Sequence, residues 1–397
     1  MNFIMKSKTN SVSLFKDKRI LLLEGYCRQS LPFMKAYKDL GCEVSVLCDS
    51  KWDCAYWSRY ADNKILGICT QDKLEETENF IIDLVKTGKY DVVIPLFDFS
   101  AEILAKNKTE LLKYSNIAVN DKEAFDLAHD KLAVMHRCEE IELPHPQTLY
   151  DIDKPEQVRD SGIPFPIFIK PRSSAGAKGC HTYQSYNEFA AGIKENEIFL
   201  PNYVIQECLP IDSLIVSDTL VIDNDGNVKS SYQYGSYRFY PLSGGTGTLN
   251  ITLNRADIHD ISAKLVTDMN LKGLVSIDFM IDSRDNTPKV LEINPRIIAC
   301  SKLGFVAGVN QAQQILEKEL GQEVSKQMDY KSDVRVRMMQ TDILWFLSSP
   351  DRFRVKPSWF SWKNTTEQMF SFSDPLPWFA FLFRGLKTLN NELKKRK

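Results

Sequence analysis

Glu292-Ile293-Asn294-Pro295-Arg296, closing the apolar run that starts at Val290, constrains this chain more than any other five residues. In an extended strand the side chains at i and i+2 point to the same face, so Glu292 and Asn294 offer two hard oxygen ligands to one cation. Pro295 has no N–H to donate and ends the ladder. Upstream, Leu274 to Ile281 reads as an apolar strand, and Ser283 to Pro288 as the turn that reverses it. A turn centred on Asp285 sets Asp278 opposite Glu292, with both carboxylates on one face. Facing carboxylates favour a bound cation; the plainer alternative is a surface hairpin with solvated acids.

The chain has 397 residues, more than one core accommodates, and predicts two to three domains. Lys and Arg total 50 against 52 for Asp and Glu, so the charge balance does not favour a nucleic-acid partner. Nine cysteines without a C-x-x-C pair, and no recognisable secretory leader, predict a cytoplasmic protein with mostly free thiols. No apolar run is long enough to span a bilayer.

Residues 1–120 alternate strand and helix: strands over Arg19–Glu24, Glu43–Leu47 and Asp91–Leu96, and helices over Leu31–Leu40, Leu74–Lys86 and Ala101–Leu112. This predicts an α/β, Rossmann-like parallel sheet. No G-x-G-x-x-G follows the first strand, so the sheet reads as a scaffold or substrate shelf and not as a dinucleotide site. From 121 to 310 the texture becomes α+β, with a helix over Asp121–Glu140 and then short strands with Gly-rich turns. Residues 311–397 read as a helical, aromatic-rich C-terminal extension.

Phe168-Ile169-Lys170-Pro171 puts a lysine at a strand end, and Ser173 to Gly179 follows as a loop of small residues, among them Ser174 and Gly176. Small residues let backbone N–H groups approach an anion closely. The spacing is not that of a Walker loop, so a phosphate here would be covered by a flap between strands. Lys131 is a second phosphate candidate, and Gln206-Glu207-Cys208-Leu209 ends another apolar strand. Each signal is weak alone, and the order Lys131, Lys170, Glu207, Asp278, Glu292, Asn294, Arg296 is what carries information.

That order, with the phrases Phe-Ile-Lys-Pro-Arg, Ile-Gln-Glu-Cys-Leu and Glu-Ile-Asn-Pro-Arg, resembles the ATP-grasp superfamily over about residues 15 to 310, in particular the carbamoyl-phosphate-synthetase-like and D-alanine:D-alanine-ligase-like enzymes. The resemblance implies a pre-ATP-grasp domain over 1–120 and two α+β subdomains clasping ATP, 121–205 with the flap and 206–310 with the metal site. It implies that Lys131 and Lys170 bind ATP phosphates, that the loop Ser173 to Gly179 closes over them, and that the backbone from Glu207 to Leu209 reads adenine. Asp278, Glu292 and Asn294 would hold Mg²⁺ or Mn²⁺, and Arg296 would face the transferred phosphoryl group; the implied catalytic set is Arg296, Lys170 and Glu292. Where the family usually has a Gly and then a ribose-binding Glu, this chain has Pro210-Ile211-Asp212-Ser213-Leu214, which leaves Asp212 as the substitute.

The implied activity is ATP-dependent joining of a small-molecule carboxylate to an amine or thiol through an acyl-phosphate, with release of ADP and phosphate. A bicarbonate-activating carboxylase of the same fold and a non-catalytic ATP-binding scaffold are the alternatives. Arg238 is the candidate for the acceptor carboxylate, with Gly244, Gly245 and Thr246 lining the reacting centre; the plain alternative is a hairpin with a surface arginine. At the C-terminus, Pro377 to Phe383 precede a cationic tail. Such a stretch can lie on an anionic membrane, but packing on the body of the protein or on a homodimer mate is the favoured reading.

Overall fold

The structure, a computed structural model, describes residues 14–173, 178–242 and 244–394, with side chains as far as Gly385. Strands β1 (Arg19–Leu22), β2 (Glu43–Cys48), β3 (Asn63–Leu66), β4 (Val92–Ile94) and β5 (Asn116–Ile117) form an all-parallel sheet in the order β3-β2-β1-β4-β5. Alternation along β1 divides its apolar residues between two cores. Ile20 and Leu22 pack with Phe33, Met34 and Tyr37 of the helix Ser30–Asp39, while Leu21 and Leu23 pack with Ile81, Val85 and Leu104 on the other face.

A four-stranded antiparallel sheet follows, β6 (Thr148–Leu149), β7 (Ile167–Pro171), β8 (His181–Tyr183) and β9 (Tyr203–Glu207), in the order β6-β9-β7-β8. A seven-stranded sheet completes the molecule: β10 (Leu214–Ile222), β11 (Val228–Tyr240), β12 (Thr246–Leu253), β13 (Gly273–Ile281), β14 (Pro288–Asn294), β15 (Arg335–Arg337) and β16 (Thr365–Glu367), in the order β14-β13-β10-β11-β12-β15-β16. The helices Lys131–Glu140 and Ala256–Asp268 cover one face of it through Val134, Met135, Leu265 and Val266.

The segment after 310 is woven into the rest. Ala312, Ile315 and Leu316 join the core around Phe33 and Tyr37, and β15 and β16 extend the large sheet. The helix Leu376–Lys394 packs beside residues 54–57, with Ala380 buried and Arg384 paired to Asp49 and Asp53. Packing on the body, the favoured reading for the C-terminal aromatics, is what this helix shows. The nine cysteines are free thiols, and no helix among the described residues is long and apolar enough to cross a membrane.

The helix expected over Asp121–Glu140 is two, Lys122–His129 and Lys131–Glu140. Asp130 between them is extended, and its carboxylate accepts the N–H groups of Leu132 at 2.9 Å and Ala133 at 3.4 Å. Such a cap stabilises a helix by about 1 kcal/mol, enough to favour a break inside an otherwise continuous helical pattern. The break sets Lys131 at the mouth of a helix, where its N–H donates to Arg172 O at 3.0 Å at the end of β7.

Candidate active site

The β13–β14 hairpin pairs Asp278 with Glu292, Ile277 with Ile293 and Ser276 with Asn294, the register expected from a turn at Asp285. That register depends on an irregularity, because Phe279 pairs with Val290, which leaves Leu291 as an extra residue on β14. Without this bulge Asp278 would oppose Leu291, and Glu292 would face the other side of the sheet. The bulge also presents the Leu291 carbonyl to Lys170, whose Nζ donates to it at 2.9 Å. One irregularity thus sets the two acids and one of the two lysines.

Both carboxylates are half-buried. Asp278 accepts from Ser217 Oγ at 2.5 Å and from Asn294 Nδ2 at 3.0 Å. Burial, then the neighbouring Glu292 charge, raises the Asp278 carboxyl above the usual carboxylate range. Lys131 Nζ lies 3.5 Å from Glu292 Oε2. Burial pushes the Lys170 ammonium down to about 8, against the pull of Glu292. These groups converge from three elements: the helix that Asp130 caps, β7 of the small sheet, and the hairpin at the edge of the large one.

Among the described residues no group of three or more His, Cys, Asp or Glu could hold a metal ion. Two carboxylates and an amide make an oxygen set of the kind Mg²⁺ uses when phosphates and water complete its shell. The fit is chemical: burial first, and then the facing Glu292 charge, raise the Asp278 pKa, and a cation there would offset both. Asn294 Oδ1 accepts from Arg296 Nη2 at 3.3 Å, which leaves this oxygen a second lone pair.

Arg296 sits beside this set in a bidentate pair with Asp98, at 2.8 Å from Nη2 to Oδ2, and over the Phe97 ring at 5.6 Å. The pair ties the end of the hairpin to the helix Asp98–Leu111 of the first domain. Gly179 takes a φ of +72° where the flap rejoins β8, and Ser173 is exposed. Ser174 and Gly176 lie outside the described residues. Asp212 is exposed and accepts from Ser283 Oγ at 2.6 Å. Glu207 holds Lys289 at 2.6 Å and Arg284 at 2.7 Å, tying β9 to β14, and Cys208 and Leu209 follow half-exposed. Gln206 is buried, and its side chain donates to Thr148 Oγ1 at 2.8 Å, so it serves the small sheet.

Arg238 departs from its expected place at a substrate. It lies on a strand with its side chain 1% exposed, and Nε and Nη2 donate to Asp342 at 2.8 and 3.0 Å. Its Nη1 reaches Pro357 O at 3.3 Å, so each guanidinium nitrogen has a partner. Gly244 and Gly245 lie between β11 and β12 and Thr246 opens β12; Gly244 and Thr246 are exposed and Gly245 is partly buried. A Cβ on Gly245 would lie 2.2 Å from Tyr240 O, which keeps that turn tight.

Three residues are absent from the sequence reading: Asp98 pairs with Arg296, Ser217 donates to Asp278, and Arg28 lies beside Ala299, beyond the hairpin. Arg28 follows β1, donates to Ala299 O at 3.4 Å and touches Met338 Sδ. Among the described residues it makes no ion pair, and burial lowers its pKa. Each of the three acts across a long sequence separation, and no local pattern marks them.

The ATP-grasp domain family matches residues 128–300, which contain both lysines, both acids and Asn294. D-aspartate ligase of Enterococcus faecium (strain Aus0004) is 24% identical over 253 residues, covering 58% of this chain and 59% of the relative. The chain therefore spans less than two thirds of that relative's length. Biotin carboxylase from Campylobacter jejuni, solved as a complex with β,γ-ATP, superposes with a TM-score of 0.67 at 15% identity over 81% of this chain and 75% of that one. N5-carboxyaminoimidazole synthetase from Staphylococcus aureus, complexed with ADP, superposes with a TM-score of 0.64 at 18% identity over 81% of each chain. These two likenesses show the fold, and residues 128–300 of this chain match the ATP-grasp domain model.

Proposed function

We propose that this protein is an ATP-dependent ligase that joins a small carboxylate to an amine or thiol through an acyl-phosphate, releasing ADP and phosphate. The observation that carries the reading is the pair of facing carboxylates, Asp278 and Glu292, with Lys131 and Lys170 converging on the same point. A carboxylate is a poor electrophile, and attack on it becomes easy once its oxygen leaves as phosphate. Transfer of a phosphoryl group to an anion brings negative charges together, so the site must neutralise them and hold the reactants in line. Mg²⁺ or Mn²⁺, held by Asp278, Glu292 and Asn294, would supply neutralisation between the phosphates.

The chain's own residues supply the rest. Lys170, fixed to Leu291 O, and Lys131, beside Glu292, would neutralise the ATP phosphates. Residues 173–179 would cover the phosphates and keep water from the acyl-phosphate. Arg296 has its position fixed by Asp98 and would carry charge next to the transferred group. For the carboxylate of the acceptor, Arg28 replaces Arg238 in this proposal: it lies near Ala299 without an ion pair among the described residues, whereas Arg238 is saturated by Asp342. The likeness to D-aspartate ligase supports an amino acid among the substrates.

The test is ADP release from ATP and Mg²⁺ with a panel of amino acids, other amines and carboxylates. Stimulation that needs both a carboxylate and an amine or thiol is the expected result. ADP release with bicarbonate alone would move the reading to a bicarbonate-activating enzyme, and tight ATP binding without stimulated ADP release would replace it with a scaffold.

A further inference from the structure

The helix Met339–Ser348 and the residues after it, up to 363, build a surface that the ligase reading does not use. Five large apolar side chains stand out from it: Ile343 at 43% exposure, Leu347 at 66%, Phe353 at 71%, Phe360 at 61% and Trp362 at 52%. Phe346 joins two of them, lying 5.5 Å from Phe353 and 5.8 Å from Phe360 between ring centroids and 4.4 Å from Trp359, while Ile343 and Leu347 are one turn apart on the helix. Arg337 lies 4.3 Å from the Trp359 ring and 4.9 Å from the Trp362 ring, and its guanidinium is held by Asp342. The buried Arg238–Asp342–Arg337 cluster is therefore the footing of this aromatic platform.

The charges in this stretch are mostly positive. Between 343 and 363 the sequence carries Arg352, Arg354, Lys356 and Lys363 against Asp351 alone. Lys363 lies 3.9 Å from Asp333, whereas Arg352, Arg354 and Lys356 make no ion pair among the described residues. A monomeric protein rarely exposes so large an apolar face without an occupant. A second copy packed symmetrically on it would set cations against cations. Trp and Phe interleaved with Arg and Lys instead match the boundary between lipid headgroups and acyl chains, where aromatics enter the interface and cations meet phosphates.

We infer that the face built by Ile343, Leu347, Phe353, Phe360 and Trp362, ringed by Arg352, Arg354 and Lys356, docks peripherally on an anionic membrane surface. The contact is peripheral because no helix among the described residues is able to cross a bilayer. The C-terminal helix, which packs on the first domain, contributes none of these side chains.

The experiment is co-sedimentation of the full chain with vesicles of phosphatidylglycerol and phosphatidylcholine, and with phosphatidylcholine alone, alongside the solution mass of the protein. Binding is expected on the anionic vesicles and not on the neutral ones, weakening at high salt. Arg354→Glu with Lys356→Glu should reduce it by about tenfold or more, and Leu347→Ser with Phe353→Ser and Phe360→Ser should abolish it, with circular dichroism and ATP binding unchanged. Brominated lipid should quench tryptophan fluorescence in the wild-type chain, a readout that needs no variant. Wild-type protein that ignores anionic vesicles overturns the inference, as does binding that survives both sets of substitutions. A wild-type dimer that becomes a monomer in the apolar triple variant, without vesicle binding, would assign the face to a second copy.

Discussion

Two clusters of buried charge lie at opposite ends of the seven-stranded sheet, and they are wired differently. At the β12–β15 end, Asp342 receives Arg238 and Arg337 together with Thr248 Oγ1 at 2.6 Å, so one carboxylate is saturated by two guanidiniums and a hydroxyl. At the β13–β14 end, Asp278 and Glu292 face each other; Lys131 stands 3.5 Å from Glu292, and Lys170 spends its hydrogen bond on a backbone carbonyl. In the first cluster the carboxylate has all its partners within the protein. In the second, one acid is held above its usual pKa by burial and by the other acid, which suits the cation proposed for it. In the first cluster the buried carboxylate faces only opposite charge and a hydroxyl, whereas in the second two like charges face each other.

Glu292→Gln breaks this contrast most sharply. Acceptor-stimulated ADP release should fall by on the order of a thousandfold or more, while the melting temperature without ligand holds or rises because a like-charge contact is gone. Asp342→Asn acts on the other end: it should lower unfolding free energy by about 3–5 kcal/mol, the loss seen when one partner of a buried ion pair is removed. ATP affinity of the folded fraction should stay near the wild-type value, as denaturant titration and nucleotide binding would show. Lys170→Met should weaken ATP binding by about ten- to a hundredfold, the worth of one charged hydrogen bond, with the melting temperature little changed.

The smallest effect is a pH slope. The folded state binds a proton at Asp278 more tightly than the unfolded chain does, so ligand-free stability should fall as pH rises from about 4, the unfolded carboxylate value, toward the raised folded one. The loss is about 1.4 kcal/mol for each unit the pKa is raised. Asp278→Asn and saturating Mg²⁺–ATP should each flatten the slope, measured by thermal unfolding across that range.

How much of this was legible in the sequence depended on how local each cause is. The hairpin and its facing acids were readable because the turn at 283–288 and the alternation on both sides lie within about twenty residues. The Leu291 bulge that makes the register work was not, since a strand with one extra residue has no local mark. The break at Asp130 was hidden because Asp inside an amphipathic pattern is common, and only the cap it forms with Leu132 and Ala133 shows its role. Arg238 looked like a substrate arginine because its partner, Asp342, is 104 residues away. The fold class was visible throughout, as strand and helix periods are local properties. The weave of residues after 310 into both the first domain and the large sheet was not, because it rests on long-range packing.

The central claim is that Asp278, Glu292 and Asn294, with Lys131 and Lys170, form one metal-dependent phosphate site. Calorimetric titration of ATP into the wild-type chain and Glu292→Gln, each with Mg²⁺ and with a chelator, tests it most directly. Binding that requires Mg²⁺ in the wild type and is lost in Glu292→Gln is the expected result. Equal ATP affinity in all four titrations, or no ATP binding by the folded wild-type chain, would contradict it.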